Sequence, residues 1–167
     1  SYDELIDHPV ALGTFQVASW RAHGVPHQMV IQGAICEIDT KKLAADLKAI
    51  CESQIAFFDS KNKKAPFHQY CFIVNAVGDG YGGLEHRNST VLLCKRDDLP
   101  YRGRDYSSDA AYQDFLGLCS HEYFHAWVVK RIKPKVFVPY DLSRPNHSTL
   151  LWLFEGFTSY YDDLHLL

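Results

Sequence analysis

The segment GLCSHEYFHAW at 117–127 places two histidines four residues apart, with a glutamate directly after the first: His121, Glu122 and His125. On an α-helix, side chains four residues apart lie one above the other, so both imidazoles can bind one metal ion. Glu122 is turned by about 100° from His121, and it can instead reach a water molecule in the open coordination position of that ion. Metal-assisted hydrolysis needs this combination, so the spacing predicts zinc-binding histidines and a glutamate that acts as general base.

A catalytic zinc ion also needs a third protein ligand besides its bound water. The sequence offers Glu155, which lies in the segment LWLFEGF among Trp152, Phe154 and Phe157. Burial of a bare carboxylate among such side chains is costly unless the carboxylate is paired or bound to a metal. We therefore expect Glu155 to be the third ligand. The sequence leaves open the alternative that Glu155 is an exposed glutamate on an amphipathic helix.

Two kinds of element must position these residues. Alternation of apolar and polar residues predicts strands in the first part of the chain, and a longer apolar period predicts helices after it. The predicted elements in chain order are strands 14–20 and 27–35, a helix from Asp39 or Thr40 to Phe58, strands 69–77 and 84–95, a helix from Ser108 or Asp109 to Ile132 that Pro134 stops, and a helix over 150–167. This order predicts an α+β fold with the candidate metal ligands on the last two helices.

The composition argues against several classes of partner. With 167 residues, of which 47% are apolar, the chain has the size and the apolar content of one domain. Its net charge of −3 offers no basic surface for nucleic acid or an anionic membrane. No apolar run approaches the ~20 residues of a membrane span, and the opening SYDELIDHP is not typical of a signal peptide. We expect neither nucleic acid nor a membrane among the partners.

The cysteines point to a reducing environment. The chain has five of them, widely spaced and without a CxxC pair, and an odd number of this kind is not a disulfide framework. All of them lie in apolar segments, so we expect buried free thiols and a cytoplasmic location. They are Cys36, Cys51, Cys71, Cys94 and Cys119.

Several longer phrases carry a family resemblance. HEYFHAWVVKRIKP, VPYDL and LLWLFEGFTSYYDDL resemble the glycyl aminopeptidase family of PDZ-bearing zinc metallopeptidases, within the thermolysin-like gluzincins, as do SYDELIDHPVALGTF and YGGLEHRNST. The resemblance covers nearly the whole chain. It implies a single, incomplete thermolysin-like catalytic domain over 1–167. Residues 1–95 would form a mixed-sheet lobe with a substrate-binding edge strand, and residues 96–167 the HExxH helix and the metal-glutamate helix.

The same resemblance implies an activity and a set of site residues. The family releases small N-terminal residues such as glycine or alanine from peptides. By similarity, Zn²⁺ would be held by His121, His125 and Glu155. Glu122 would be the general base that takes a proton from the attacking water.

The segment YGGLEHRNST also suggests where a peptide substrate binds. Gly83 and the glycine before it would let the backbone approach a bound peptide, and the following strand could pair with that peptide as an added strand. In related aminopeptidases a glutamate at this kind of position binds the free amine of the substrate. Glu85 resembles that residue, with His86 beside it. The alternative is that Glu85 is a charged residue that discourages aggregation at a sheet edge.

The chain also departs from the family pattern. Where the thermolysin type has an aspartate that orients a ligand histidine, this chain has Ser159, and Asp162 is an alternative on roughly the same face. The family continues into a helical subdomain and a PDZ domain, and the residue that stabilises the oxyanion generally lies there. We therefore expect the 167-residue chain alone to bind zinc but to be weak or inactive as a peptidase. Its Leu164, Leu166 and Leu167 would be exposed.

The sequence thus favours a zinc-dependent aminopeptidase. One rival interpretation is a non-catalytic zinc-containing module that binds peptides along the edge strand at 84–94. A second rival is a structural α+β domain in which the HExxH motif is coincidental. The presence of Glu122 argues against both rivals, because neither needs a general base.

Overall fold

The computed structural model describes residues 2–106 and 108–166, and its architecture is α+β, as predicted. The regular elements in chain order are α1 (Tyr2–Ile6), β1 (Gln16–Ala22), β2 (Val25–Gln32), α2 (Thr40–Phe58), β3 (Tyr70–Val77), β4 (Gly82–Glu85), β5 (Ser89–Lys95), α3 (Ala110–Phe124) and α4 (Leu151–Leu164). Short 3₁₀ turns at Arg96–Asp98 and Lys135–Phe137 join some of them. The helix α1 was not predicted.

The described strands form one mixed sheet in the order β1-β2-β3-β5-β4. The three central strands run parallel to one another, and β1 and β4 pair antiparallel with β2 and β5. This arrangement confirms the prediction of a mixed sheet. It leaves β4 at one edge, where Gly83 is opposite Leu92 and Glu85 is opposite Thr90.

The helices α2 and α3 cover one face of this sheet. Asp39 is the N-cap of α2 and accepts a hydrogen bond from the Lys42 N–H (3.0 Å). Of the two predicted capping residues, Asp39 and Thr40, the structure thus has Asp39. Alternate side chains of the strands meet the apolar side of both helices, and their burial drives the packing of the layers. This core includes Trp20, Met29, Phe72, Val74, Leu92, Leu43, Leu47, Ile50, Phe115 and Cys119.

The single strand predicted over 84–95 is instead a hairpin. β4 ends at Glu85 and β5 begins at Ser89, and the His86 N–H donates to the Ser89 carbonyl across the turn (2.9 Å). Because the chain reverses here, β5 lies inside the sheet between β3 and β4. The predicted edge strand therefore consists of β4 alone.

The helix that carries the HExxH motif ends earlier than predicted. It starts after Asp109, whose side chain caps it, but it ends at Phe124 rather than at Ile132. In a longer helix, the Ala126 carbonyl would accept the N–H four residues later. Here the Arg131 guanidinium donates to that carbonyl (2.5 Å). The same guanidinium donates to the carbonyls of Pro66 and Arg87, so contacts with distant segments contribute to the end of α3 although the apolar period of the sequence continues past Phe124.

The helix α4 contacts the rest of the molecule through a narrow stripe. Its buried residues follow one another at intervals of four: Phe154, Thr158 and Asp162. After the helix, Leu166 packs against the core, so the prediction that it is exposed is wrong. Leu164 is exposed, as expected, and Leu167 lies outside the described residues.

The cysteines are unpaired in the described residues, but they are not all buried. Cys51, Cys94 and Cys119 are buried, and Cys71 is partly so. Cys36 is exposed, which corrects the prediction, because it lies in the loop between β2 and α2 rather than in a strand. Among the described helices, none combines the length and the apolarity needed to cross a membrane.

Candidate metal centre

Two imidazole rings meet at the end of α3. His121 and His125 lie one helical turn apart, and their Nε2 atoms are 3.1 Å from each other. In a tetrahedral zinc site with bonds of ~2.0–2.1 Å, two ligand nitrogens lie about 3.3 Å apart. The separation of the two rings therefore suits a shared zinc ion. His125 is buried, whereas His121 is partly exposed.

The hydrogen-bond partner of each Nδ1 atom shows that this nitrogen carries a hydrogen. His125 Nδ1 lies 2.6 Å from the Val128 carbonyl oxygen, which can only accept, so Nδ1 carries the hydrogen. His121 Nδ1 donates in the same way to the Asp162 carboxylate (2.7 Å). In their neutral form, both rings present the lone pair of Nε2 to the same point. Two facing lone pairs repel each other unless a cation or a proton lies between them, so this pair fits a metal ion.

Glu155 approaches the same point from α4. Its Oε2 lies 3.6 Å from the Nε2 atom of each histidine, and one ligand atom of each of the three residues lies within 4.8 Å of the others. The Glu155 side chain is 49% exposed. The expectation that apolar neighbours bury it is wrong, because Trp152 and Phe157 are themselves exposed. What distinguishes Glu155 is its position opposite the two rings.

Glu122 lies on the inner side of this group, against the edge strand. A side chain at position 83 would overlap the Glu122 carboxylate, so only glycine lets β4 come this close. Burial raises the pKa of Glu122 to about 7; the charge of His121 opposes this shift, and Glu85 and Glu155 add to it. Its Oε2 is buried and has no hydrogen-bond partner among the described residues. A carboxyl group with a pKa near 7 is suited to proton transfer at neutral pH.

The residues that orient the histidines were only partly found from the sequence. Asp162 was named as an alternative, and it is the residue that contacts His121. The Val128 carbonyl was missed, because it reaches His125 only where α3 has ended and the chain turns back. Thr158 was also missed, and its hydroxyl lies 3.5 Å from His125 Nδ1. No local pattern predicts these contacts, since they depend on the turn after α3 and on the packing of α4.

The two residues predicted to bind substrate have different surroundings. Glu85, at the end of β4, is near enough to Glu122 for its charge to raise the Glu122 pKa. His86 is buried, and its Nδ1 lies 3.6 Å from the carboxylate of Asp7. Asp7 in turn pairs with Lys130 at 2.8 Å. Glu85 is thus near the candidate centre, whereas His86 belongs to a cluster of charged residues around Asp7.

A cleft of about 500 Å³ opens beside Glu122. Gly82 and Gly83 of β4 form one side, and the opposite side is formed by α3 and the last turn of α4. His121 and Glu122 both line it. An extended peptide in this cleft would lie alongside β4 with its backbone close to the candidate ligands.

Comparisons with known proteins find a matching family model and similar solved structures. The family model of the M61 glycyl aminopeptidases matches residues 114–167, which include the three candidate ligands and Glu122. A search of curated proteins finds no match. The crystal structure of an aminopeptidase N family protein from Idiomarina loihiensis matches with a TM-score of 0.86 and 47% identity, over 92% of this chain and 25% of that one. The chain therefore spans about a quarter of the length of that protein.

Proposed function

Since the chain is related to the M61 glycyl aminopeptidases, we propose that it forms the zinc-binding part of a thermolysin-like aminopeptidase catalytic domain. The family match and the 47% identity to an aminopeptidase N family protein support a peptidase. In this proposal, residues 1–95 supply the sheet lobe with the substrate edge, and residues 96–167 supply the metal-bearing helices. Helical and PDZ regions of the whole protein complete the active site.

One observation carries the proposal: His121 Nε2, His125 Nε2 and Glu155 Oε2 converge within 4.8 Å beside a buried carboxyl group. Two imidazoles and one carboxylate are a common ligand set for catalytic zinc. When bound, Zn²⁺ polarises the scissile carbonyl and lowers the pKa of a bound water. The Nδ1 hydrogen bonds of both rings support the two histidines as its ligands, and the position of the Glu155 carboxylate opposite them supports the third.

Glu122 would move the proton in this reaction. Its carboxylate accepts a proton from the attacking water and returns it to the amine that leaves. With a pKa of about 7, the same group can both accept and donate a proton near neutral pH. The absence of a hydrogen-bond partner for Oε2 among the described residues leaves that oxygen available for the water.

The substrate would bind along the edge of the sheet. In the described residues, β4 pairs only with β5, and the space where a side chain of residue 82 would lie is open, so a peptide backbone can come close to Gly82. In this position the carboxylate of Glu85 can pair with the protonated amine of an N-terminal residue. The preference for N-terminal glycine or alanine is proposed from the family match.

The test is to purify the whole protein, to measure its zinc content after dialysis, and to assay glycyl and alanyl arylamides with free and acetylated amines. We expect one zinc per chain and turnover of the free-amine substrates that a chelator abolishes and zinc restores. A protein that binds zinc and peptide without turnover would be the non-catalytic peptide-binding module. A protein that binds no zinc would overturn the proposal.

A further inference from the structure

The candidate ligand His121 depends on a residue of another helix. Its Nδ1–H donates to Asp162, which lies near the end of α4. The attachment of α4 is the narrow stripe described above, and its N-cap, Leu150, makes no side-chain capping hydrogen bond. A small rotation or shift of α4 would therefore move the Asp162 carboxylate away from the ring. Tyr161 packs against Phe124 and Phe57 here, but fixing the Asp162 carboxylate also needs a directional contact with α3.

Ser120, the residue before His121, makes that contact. Its hydroxyl donates to the backbone carbonyl of Asp162 at 2.9 Å, while the Asp162 side chain accepts from His121 at 2.7 Å. Adjacent residues of α3 thus hold the backbone and the side chain of the same residue of α4. Two attachments of this kind fix the position of the carboxylate as well as its direction.

Gln54 of α2 sets the direction of the Ser120 hydroxyl. Its Nε2 lies 2.9 Å from both the Ser120 carbonyl oxygen and the Ser120 Oγ. The carbonyl can only accept, so the amide nitrogen must face it, and the same nitrogen donates to Oγ. A hydroxyl carries one hydrogen, which is then directed to Asp162. Both side chains are fully buried, so water does not compete for these hydrogen bonds.

We propose that Gln54 and Ser120 are positioning residues for metal binding, acting from α2 through α3 on the aspartate that orients His121. This inference rests on the proposed function, because it assumes that His121 is a zinc ligand. It assigns a role in the metal centre to a residue 66 positions before its hydrogen-bond partner in the chain. Neither side chain contacts the Nε2 or Oε2 atoms of the candidate ligands, so the proposed route of their effect on the metal is through Asp162.

The experiment compares three single variants of the whole protein. Ser120→Ala removes the hydroxyl, and Gln54→Met removes the amide while nearly keeping its volume. Ile50→Val is the control, because Ile50 is a buried residue of α2 one turn before Gln54 that is not part of this hydrogen-bond chain. Each protein is stripped with a chelator and titrated with zinc, and its cobalt form is measured by visible absorption.

We expect Ser120→Ala and Gln54→Met each to weaken zinc binding by about tenfold, the low end of the effects of residues that orient a ligand. Their cobalt spectra should shift, and the double variant should lose no more than about the larger single loss, since both residues act through one hydroxyl. Ile50→Val should lower the melting temperature without changing the zinc Kd or the cobalt spectrum.

Two results would overturn the inference in distinguishable ways. If the wild-type protein binds zinc through His121 but both variants keep its Kd and spectrum, the positioning role is wrong and the proposed function stands. If His121→Ala leaves zinc binding unchanged, the ligand assignment fails, and the inference fails with it. A loss of affinity in Ile50→Val equal to that in Ser120→Ala would also overturn it, because general destabilisation would then explain the effect.

Discussion

Two buried histidines beside α3, His27 and His125, differ in the partner of their Nε2 atom. His27 and His125 are both almost fully buried, and each places its Nδ1 within hydrogen-bond distance of a backbone carbonyl, of Val25 at 2.9 Å and of Val128 at 2.6 Å. The Nε2 of His27 then accepts a hydrogen bond from the Tyr123 hydroxyl (2.9 Å). Among the described residues, the Nε2 of His125 has no hydroxyl donor of this kind and instead lies 3.1 Å from His121 Nε2.

This difference separates a structural histidine from a candidate ligand. His27 is satisfied by the protein itself and lies among the rings of Trp20, Phe67 and Tyr70. His125 faces another imidazole nitrogen and the carboxylate of Glu155, an arrangement that fits a metal ion between them. Burial alone does not distinguish the two environments. The partner of the second ring nitrogen does.

The largest expected effect is the difference in zinc affinity between variants of His125 and His27. His125→Ala should weaken zinc binding by more than ~100-fold, the upper end for residues that only orient a ligand. His27→Gln should leave the zinc Kd unchanged, because its amide can still meet the Tyr123 hydroxyl. Zinc titration of both stripped proteins measures the contrast. Equal losses would mean that burial in the core, rather than ligation, explains the effect of His125.

A second substitution tests whether the candidate metal centre catalyses hydrolysis. Glu122→Gln keeps the shape of the buried side chain but removes the proton acceptor, so kcat should fall by at least ~10²-fold while zinc stays bound. Turnover of a glycyl arylamide and metal analysis of the same sample give the two values. Near-normal turnover would show that another group activates the water.

The third prediction concerns the effect of pH on the stability of the fold through His27. Burial lowers the pKa of His27 to about 4, below its ordinary value of 6.5. Between these values the unfolded chain binds a proton that the folded protein does not, so stability should decrease as the pH falls from 6.5 to 4. The contribution of His27 to this loss is roughly 2–3 kcal/mol.

Denaturant unfolding at pH 7 and pH 4.5 measures this loss. His27→Gln should lose less stability than the wild-type protein over the same interval, and the comparison cancels the titration of all other groups. An identical pH dependence in the two proteins would show that His27 binds a proton as readily in the folded state as in the unfolded state, and would contradict the assigned burial and hydrogen bond from Tyr123.

The smallest expected effect concerns a charge at the edge of the cleft. If Glu85 pairs with a free amine, Glu85→Gln should lower kcat/KM for unblocked substrates by about tenfold, in keeping with the strength of a hydrogen bond between charged groups. Acetylated substrates, which lack that charge, should be almost unaffected. An equal loss for both classes would make Glu85 a structural residue of β4.

Local signals were sufficient for the parts of the fold that local interactions decide. The cap at Asp39, the amphipathic period of α2 and the alternation in β1 and β2 can each be read within a few residues. The pairing of His121 with His125 follows from helical geometry alone. Glu155 was chosen because of its apolar neighbours, but that reason was wrong, and only the packing of α4 against α3 explains its position.

Contacts between distant segments decide what could not be predicted. The Arg131 guanidinium donates to the Ala126 carbonyl, which a longer α3 would use for a helical hydrogen bond. It also donates to the carbonyls of Pro66 and Arg87. The hydrogen bonds of Gln54 to Ser120 join residues that no periodic pattern relates. Such contacts form only when the layers have assembled, so a single sequence gives no local signal for them.

If α3 and α4 hold zinc as proposed, the narrow attachment of α4 would connect the supply of the metal with the lifetime of the protein. Local opening of this helix would separate Glu155 and Asp162 from α3 at the same moment, so only the closed form could hold zinc. Zinc at a hundredfold above its Kd would then disfavour the opening by ~2.7 kcal/mol, or about a factor of 100. In a cell short of zinc, α4 would open more often and expose its backbone to proteases. Under the proposed function, loss of the metal would therefore favour degradation of the metal-free protein.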